Sequence, residues 1–178
     1  RERFSNIEQS ALKDVNESVP RGFISDQVEQ VVSRKANAVK LDASFDVTVV
    51  ADTLVEDPDD AREALGKPHS KEEAVAMLLR LRGSRHKVWS ATMVHAFGQW
   101  KTTVEHALVE VEDFSDDVLV ELIESDSWVG KAGAYDLAGM MGEYAKLLEG
   151  SETTVLGFTQ ASLKYLDELQ SLFSISRS

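Results

Sequence analysis

Asp52 follows an apolar, β-branched run, Phe45-Asp46-Val47-Thr48-Val49-Val50, and is itself followed by Thr53. The run reads as a buried strand ending near Ala51-Asp52. A carboxylate at the C-terminal edge of a sheet is well placed to hold a metal ion or a water above it. The competing use of such an aspartate is to cap or open a turn. Two lysines sit beside glycines, Lys67 in Gly66-Lys67-Pro68 and Lys131 in Gly130-Lys131-Ala132-Gly133. Each could reach a polyphosphate, although a lone lysine is more often a solvated surface residue. His69, His86, His95 and His106 are scattered, so no histidine metal cluster is expected, and His86 reads as a residue that orders a loop. There is no G-x-x-x-x-G-K-[ST], because Gly130-Lys131 lacks both the upstream glycine and the following hydroxyl; no G-x-G-x-x-G follows a strand, and no H-E-x-x-H occurs. The residues alone describe a soluble α/β domain with a possible anion site.

The elements that must position these residues are legible from periodicity. Ser25 to Leu41 reads as a helix, with Val28, Val31, Val32 and Val39 at near-helical spacing. After the strand that ends at Asp52, an acidic loop with a proline runs from Glu56 to Leu65. Ser70 to Arg82 is the clearest helix: Ser70 and Glu73 form a capping box, and Ala74, Met77, Leu78 and Leu81 line one face. Lys87 to Phe97 and Trp100 to Glu112 read as two strands of a hairpin turning at Gly98-Gln99, which leaves His95 and His106 out of register. Ser115 to Glu124, Met140 to Leu148 and Thr159 to Phe173 read as helices, and Thr153 to Leu156 as a short strand. The sum is one mixed α/β domain over residues 1–178, a central sheet with flanking helices.

Composition narrows the function classes. A net charge of −12, from 31 acidic against 19 basic residues, disfavours a nucleic-acid partner, and such a chain repels free nucleotides unless cations or a divalent metal gather locally. No stretch of 18 apolar residues occurs, so no membrane span is expected. The chain contains no cysteine, hence no thiolate metal site and no disulfide. No apolar run follows Arg1-Glu2-Arg3-Phe4, so no signal peptide is expected, and the expected location is the cytoplasm.

Taken in order, the motifs resemble the Maf family. Ala51-Asp52-Thr53 after a β-branched strand matches its S/A-D-T signature, and Gly66-Lys67-Pro68 follows. Glu73-Ala74, Leu81-Arg82-Gly83 and His86-Lys87-Val88 come next, then Gly130-Lys131-Ala132-Gly133-Ala134-Tyr135, which matches G-K-A-G-A-Y in full. Glu149-Gly150-Ser151 and Val155-x-Gly157 resemble the family's ending. Upstream, Asp14-Val15-Asn16-Glu17 resembles its acidic D-x-D-E element, and Arg34-Lys35-Ala36 its helix-borne K-A pair. The similarity spans Phe4 to about Leu169.

The resemblance implies an α/β fold like that of inosine triphosphate pyrophosphatases: a central mixed sheet with flanking helices, a cleft between two lobes, and usually a homodimer. It implies Mg²⁺- or Mn²⁺-dependent hydrolysis of a nucleoside triphosphate to a monophosphate and pyrophosphate, on the dTTP/UTP branch. Asp52 would bind the metal or activate the water, Glu17 would be the second metal carboxylate, and Lys35, Lys67 and Lys131 would grip the phosphates. A nucleotide-binding regulator with little turnover is the alternative, and a relative cutting ITP or XTP a third reading. Three departures stand out. The family's opening strand and S-x-S-P-R-R loop do not precede Phe4: either the protein is naturally truncated or an N-terminal segment carrying them is omitted from this sequence, and omission is the expectation. Val129 stands before Gly130 where pyrimidine-specific members usually carry Gln, and a valine cannot hydrogen-bond a base. Gly157-Phe158-Thr159 replaces G-L-P, with Thr159 able to cap the last helix.

Overall fold

The computed structural model describes Glu8 and residues 21–176. Helix α1 (Ile24–Ala38) leads into strand β1 (Thr48–Asp57), β2 (Asp60–Leu65), α2 (Lys71–Leu81), β3 (Arg85–Ala96) and β4 (Gln99–Val111). Helix α3 (Asp116–Glu124), strand β5 (Ala145–Glu149), the single turn α4 (Glu152–Val155) and α5 (Gln160–Ser176) complete the order. The strands form one sheet in the order β2-β1-β3-β4-β5. Its four pairings are all antiparallel, so the α/β class holds while the expected mixed sheet has no parallel pairing among the described residues.

The long hairpin forms as the sequence suggests but turns one residue earlier, at Phe97-Gly98, with Ala96 opposite Gln99. Both turn residues have positive φ, +51° and +77°, the twist that a two-residue hairpin loop needs. In this register Trp89 faces His106 and His95 faces Trp100, which keeps His95 and His106 apart. The acidic stretch expected as a loop is a second hairpin. Asp57 pairs with Asp60 across Pro58-Asp59, and the Asp57 carboxylate accepts the Asp59 N–H at 2.9 Å. Proline fixes φ for the turn and aspartate closes it, so the turn residues punctuate a strand pair rather than a long loop.

Alternation along the strands sends side chains to two faces. On one face α1 lays Ile24, Val28, Val32 and Ala36 over Val50, Leu54 and Ala91. On the other, Val55, Val88, Val109 and Val111 meet Ala74, Leu78 and Leu81 of α2 and Leu119, Leu122 and Ile123 of α3. Burying a leucine such as Leu78 or Leu81 stabilises by about 2 kcal/mol. Leu166 and Leu169 of α5 cover Val94 and Ala96 on β3. Ser70 caps α2 by accepting the Glu73 N–H, as expected, and the Glu73 carboxylate reaches back to the His69 N–H at 2.7 Å. Ser115 caps α3, and Thr159 caps α5 through the Ser162 N–H at 3.2 Å.

Two segments differ from expectation. Met140 to Leu148 is not a helix: a short 3₁₀ turn, Met140–Glu143, gives way to β5, because β4 offers an edge on which Ala145 and Leu147 pair with Val111 and Val109. Thr153 to Leu156 is not a strand, because Ser151 caps it as a helical turn by accepting the Thr153 N–H at 3.3 Å. No helix among the described residues is long and apolar enough to cross a membrane.

Candidate active site

Asp52 stands within β1 and not at its end. The strand continues past Asp52 because β3 pairs with it from Thr48 to Val55, with Ala91 opposite Asp52, and β2 pairs with its last residues to Asp57. On its other side β1 pairs with β2 only at Val55, Glu56 and Asp57. β2 therefore stops short of Ala51-Asp52-Thr53, and that stretch of β1 borders a cleft of about 330 Å³. A carboxylate thus reaches an open cavity from mid-strand, a position that sequence alone reads as a strand terminus.

Three lysines line the same cleft. Lys35 comes from the last turn of α1, and its Nζ donates to Asp52 Oδ1 at 2.6 Å; both side chains are only 13% exposed. So close a pair, shielded from water, interacts strongly. Lys67 lies in the connection between β2 and α2, where the neighbouring Pro68 is buried and fixes the chain. Lys131 follows α3 on a loop in which Gly130 and Gly133 both take positive φ. Its Nζ stands 2.9 Å from Asp136 Oδ2, and Asp136 also lines the cleft. The two lysine-bearing loops are joined directly, by the Gly133 N–H donating to the Gly66 carbonyl at 3.0 Å. Spacing along the chain did not say whether Lys35, Lys67 and Lys131 meet; the fold brings them to one cavity.

The rest of the cleft is partly apolar. Leu137, Val155 and Leu156 form this wall, with Gly157 beside Thr53. A hydrogen-bonded chain holds it in place. Thr53 Oγ1 and Ser90 Oγ are 2.7 Å apart, and Ser90 Oγ donates to the Thr154 carbonyl at 2.7 Å, tying the short helix α4 to the strand beneath. Tyr135 is also a lining residue. Its hydroxyl lies 3.0 Å from Nε2 of His86, which is buried on β3, so His86 does order the loop that carries Lys131. Burial pushes the His86 imidazole down to about 4 and the Tyr135 phenol upward.

Glu17, with the rest of Asp14 to Glu17, lies outside the described residues. Val129 is exposed and is not among the residues that line the cleft. Asp136, Tyr135, Thr53 and the Leu137–Leu156 wall were not singled out from sequence, although Thr53 and Tyr135 stand inside the quoted motifs. Among the described residues, no group of three or more His, Cys, Asp and Glu side chains is arranged to hold a metal ion. Mg²⁺ and Mn²⁺ in phosphate sites commonly take one or two carboxylates and fill their shells with water and phosphate oxygens. Asp52 is the cleft carboxylate that could serve such an ion, one that arrives with a phosphate ligand and completes its shell with water.

Comparison with known proteins gives the family of the chain. The chain is 33% identical to a dTTP/UTP pyrophosphatase of Hahella chejuensis over 151 residues, covering 83% of this chain and 74% of that protein. Proteins of the same name from Desulforamulus reducens and Bacillus velezensis are 30% and 32% identical. Those matches cover 85% and 76% of this chain, and 80% and 70% of the respective relatives. The family model described as Maf-like protein matches residues 2–169, a span that holds every cleft residue named above. The chain belongs to the Maf-like protein family.

Proposed function

We propose that this chain hydrolyses nucleoside triphosphates to monophosphate and pyrophosphate, with dTTP and UTP as the preferred substrates. The observation that carries the reading is the convergence of Lys35, Lys67 and Lys131 on one cleft with Asp52. In a chain of net charge −12, three cations gathered in one cavity are the feature that attracts a polyanion. The activity for which the relatives are named supplies the substrate class. A regulatory, non-hydrolysing role is not favoured, since those relatives carry an enzyme's name.

In this mechanism Lys67 and Lys131 neutralise the β- and γ-phosphates, and Lys35 lies nearest the reacting α-phosphate through its contact with Asp52. Asp52 orients a water and takes its proton as the water's oxygen adds to the α-phosphorus. The bond from that phosphorus to the α,β-bridging oxygen breaks, and pyrophosphate leaves with the electron pair. Lysines that stabilise the leaving charge act more strongly in a partly enclosed cleft than in bulk water. The base packs against Leu137, Val155 and Leu156, whose apolar surfaces suit a planar ring. A divalent ion, Mg²⁺ or Mn²⁺, would be held by Asp52 and Glu17 and would lower the charge of the triphosphate when bound. A homodimer in the cytoplasm is the assembly and location that go with this reading.

The test is pyrophosphate release from dTTP, UTP, CTP, 7-methyl-GTP, ITP and ATP with each metal in turn, repeated for Asp52→Asn. Release from dTTP and UTP with the matching monophosphate is expected. The variant should lose at least about a hundredfold in kcat while still unfolding in one cooperative transition, its melting temperature lowered by the loss of the Lys35 partner. Near-normal turnover by the variant would remove Asp52 from the mechanism. Nucleotide binding with no pyrophosphate from any substrate would overturn the enzyme reading itself.

A further inference from the structure

Lys35 and Asp52 reach each other from two elements that hold their backbones in place. Asp52 is fixed within β1 by its pairing with β3, where Ala91 stands opposite. Lys35 leaves α1 between Val32 and Ala36, which pack with Val50, Leu54 and Ala91. The ammonium and the carboxylate meet at 2.6 Å, both side chains are 13% exposed, and both residues line the cleft. Taking one charge from a pair so shielded leaves the other poorly solvated, so the pair opens readily only when new partners take both places.

The pair occupies the carboxylate that a phosphate-borne Mg²⁺ or Mn²⁺ would use. A divalent ion arriving alone meets an Asp52 whose charge is already balanced, and an ammonium 2.6 Å from Oδ1 that repels it. To bind, it must drive the lysine away and leave that charge without an anion. A triphosphate changes both sides of the exchange. Its oxygens offer the ammonium a new anion, and the same oxygens bring the ion that Asp52 then accepts. Charge stays balanced throughout: Lys35 on Asp52 becomes Lys35 on phosphate and Asp52 on the ion. Lysine is the partner able to move, because its ammonium ends a flexible four-carbon stem while the short aspartate side chain stays close to its strand.

We propose that Lys35 latches Asp52 in the free protein, so that the site takes up a divalent ion together with a nucleoside triphosphate and not before it. The latch rests on the nucleotide-hydrolysing reading, which it deepens by setting an order of binding. A chain of net charge −12 gathers divalent cations along its surface, and the ammonium keeps them off Asp52 until substrate is present.

Mn²⁺ binding, read from the electron paramagnetic resonance signal of the free ion at constant ionic strength, tests the latch without turnover. Asp52→Asn is the blank, since it keeps the acidic surface and removes the carboxylate. Without nucleotide, the unaltered protein and Asp52→Asn should bind Mn²⁺ alike. Lys35→Met should bind at least about tenfold more tightly, because one like charge has left the ion's neighbourhood, and adding Asp52→Asn should abolish the gain. With dTTP carrying a methylene group in place of the α,β-bridging oxygen, the unaltered protein should gain an Mn²⁺ site that Asp52→Asn weakens. Asp52-dependent Mn²⁺ binding by the unaltered protein without nucleotide would overturn the proposal, as would a Lys35→Met variant that binds no more tightly. If Lys35→Met fails to fold, the unaltered protein and Asp52→Asn still decide: an Asp52-dependent site seen only with the analogue supports the latch. An analogue that does not bind at all would instead overturn the nucleotide reading, and the Lys35→Met comparison in the free protein would stand.

Discussion

The carboxylate of Asp136, 2.9 Å from the Lys131 ammonium, competes for the cation that the proposed mechanism gives to a phosphate. Both groups are partly solvated, which weakens the pair. A triphosphate entering the cleft must displace Asp136 and then sit near its negative charge. Asp136→Asn should therefore lower KM by about threefold with little change in kcat, read from initial rates on dTTP. A higher KM would mean that the pair holds Lys131 in place and does not restrain it. This residue also marks the limit of what the sequence discloses about the site. Asp52, Lys35, Lys67 and Lys131 stand in motifs whose order points to one chemistry. Asp136 enters the cleft only because the chain reverses through Gly133 and Ala134, and left-handed backbone at an alanine has no sequence signature.

At the level of elements, the junction between the Gly66 loop, the Gly130 loop and β1 is closely packed. A Cβ on Gly133 would meet Val55 at 3.1 Å, on a backbone with φ of +67°. Gly133→Ala should cost about 2 kcal/mol in a denaturant titration and raise KM as Lys131 shifts; an unchanged midpoint would show that the loop adapts freely. The helices were the legible part of the fold, since α1, α2, α3 and α5 carry periodicity and the last three carry hydroxyl caps within their own sequence. The strands were legible where alternation runs long, as in β3 and β4. What failed depends on partners distant in sequence. Ala145–Glu149 is a strand because the edge of β4 is there to receive it, and β1 runs past Asp52 because β3 continues beside it. Local propensity yields to such pairing when the hydrogen bonds come from residues far along the chain.

On the scale of the whole molecule, one buried imidazole makes folding sensitive to acid. His86 titrates near 4 in the folded chain against an ordinary value of 6.5, lowered by burial. Above 6.5 neither state binds this proton and the stability is complete. Between 6.5 and 4 the unfolded chain takes up a proton that the folded chain refuses, so stability falls as pH falls, by about 3 kcal/mol in all. Urea titrations from neutral pH down to 4 should show a shallower loss for His86→Gln than for the unaltered protein; equal slopes would mean that the ring becomes charged inside the fold at no cost.

The lysines and Asp52 come from α1, β1 and two separate loops, with Lys35 and Lys131 at opposite ends of most of the sheet's sequence. An unfolded chain therefore scatters the cavity's charges and has no nucleotide site, so mass action couples occupancy to folding. Free nucleotide at a hundredfold excess over its dissociation constant should add about 2.7 kcal/mol to stability, visible as a rise in melting temperature with a slowly hydrolysed analogue. Under the proposed activity the stabiliser is also the substrate. The protein is then most durable while its pool is full, and that protection declines through its own turnover.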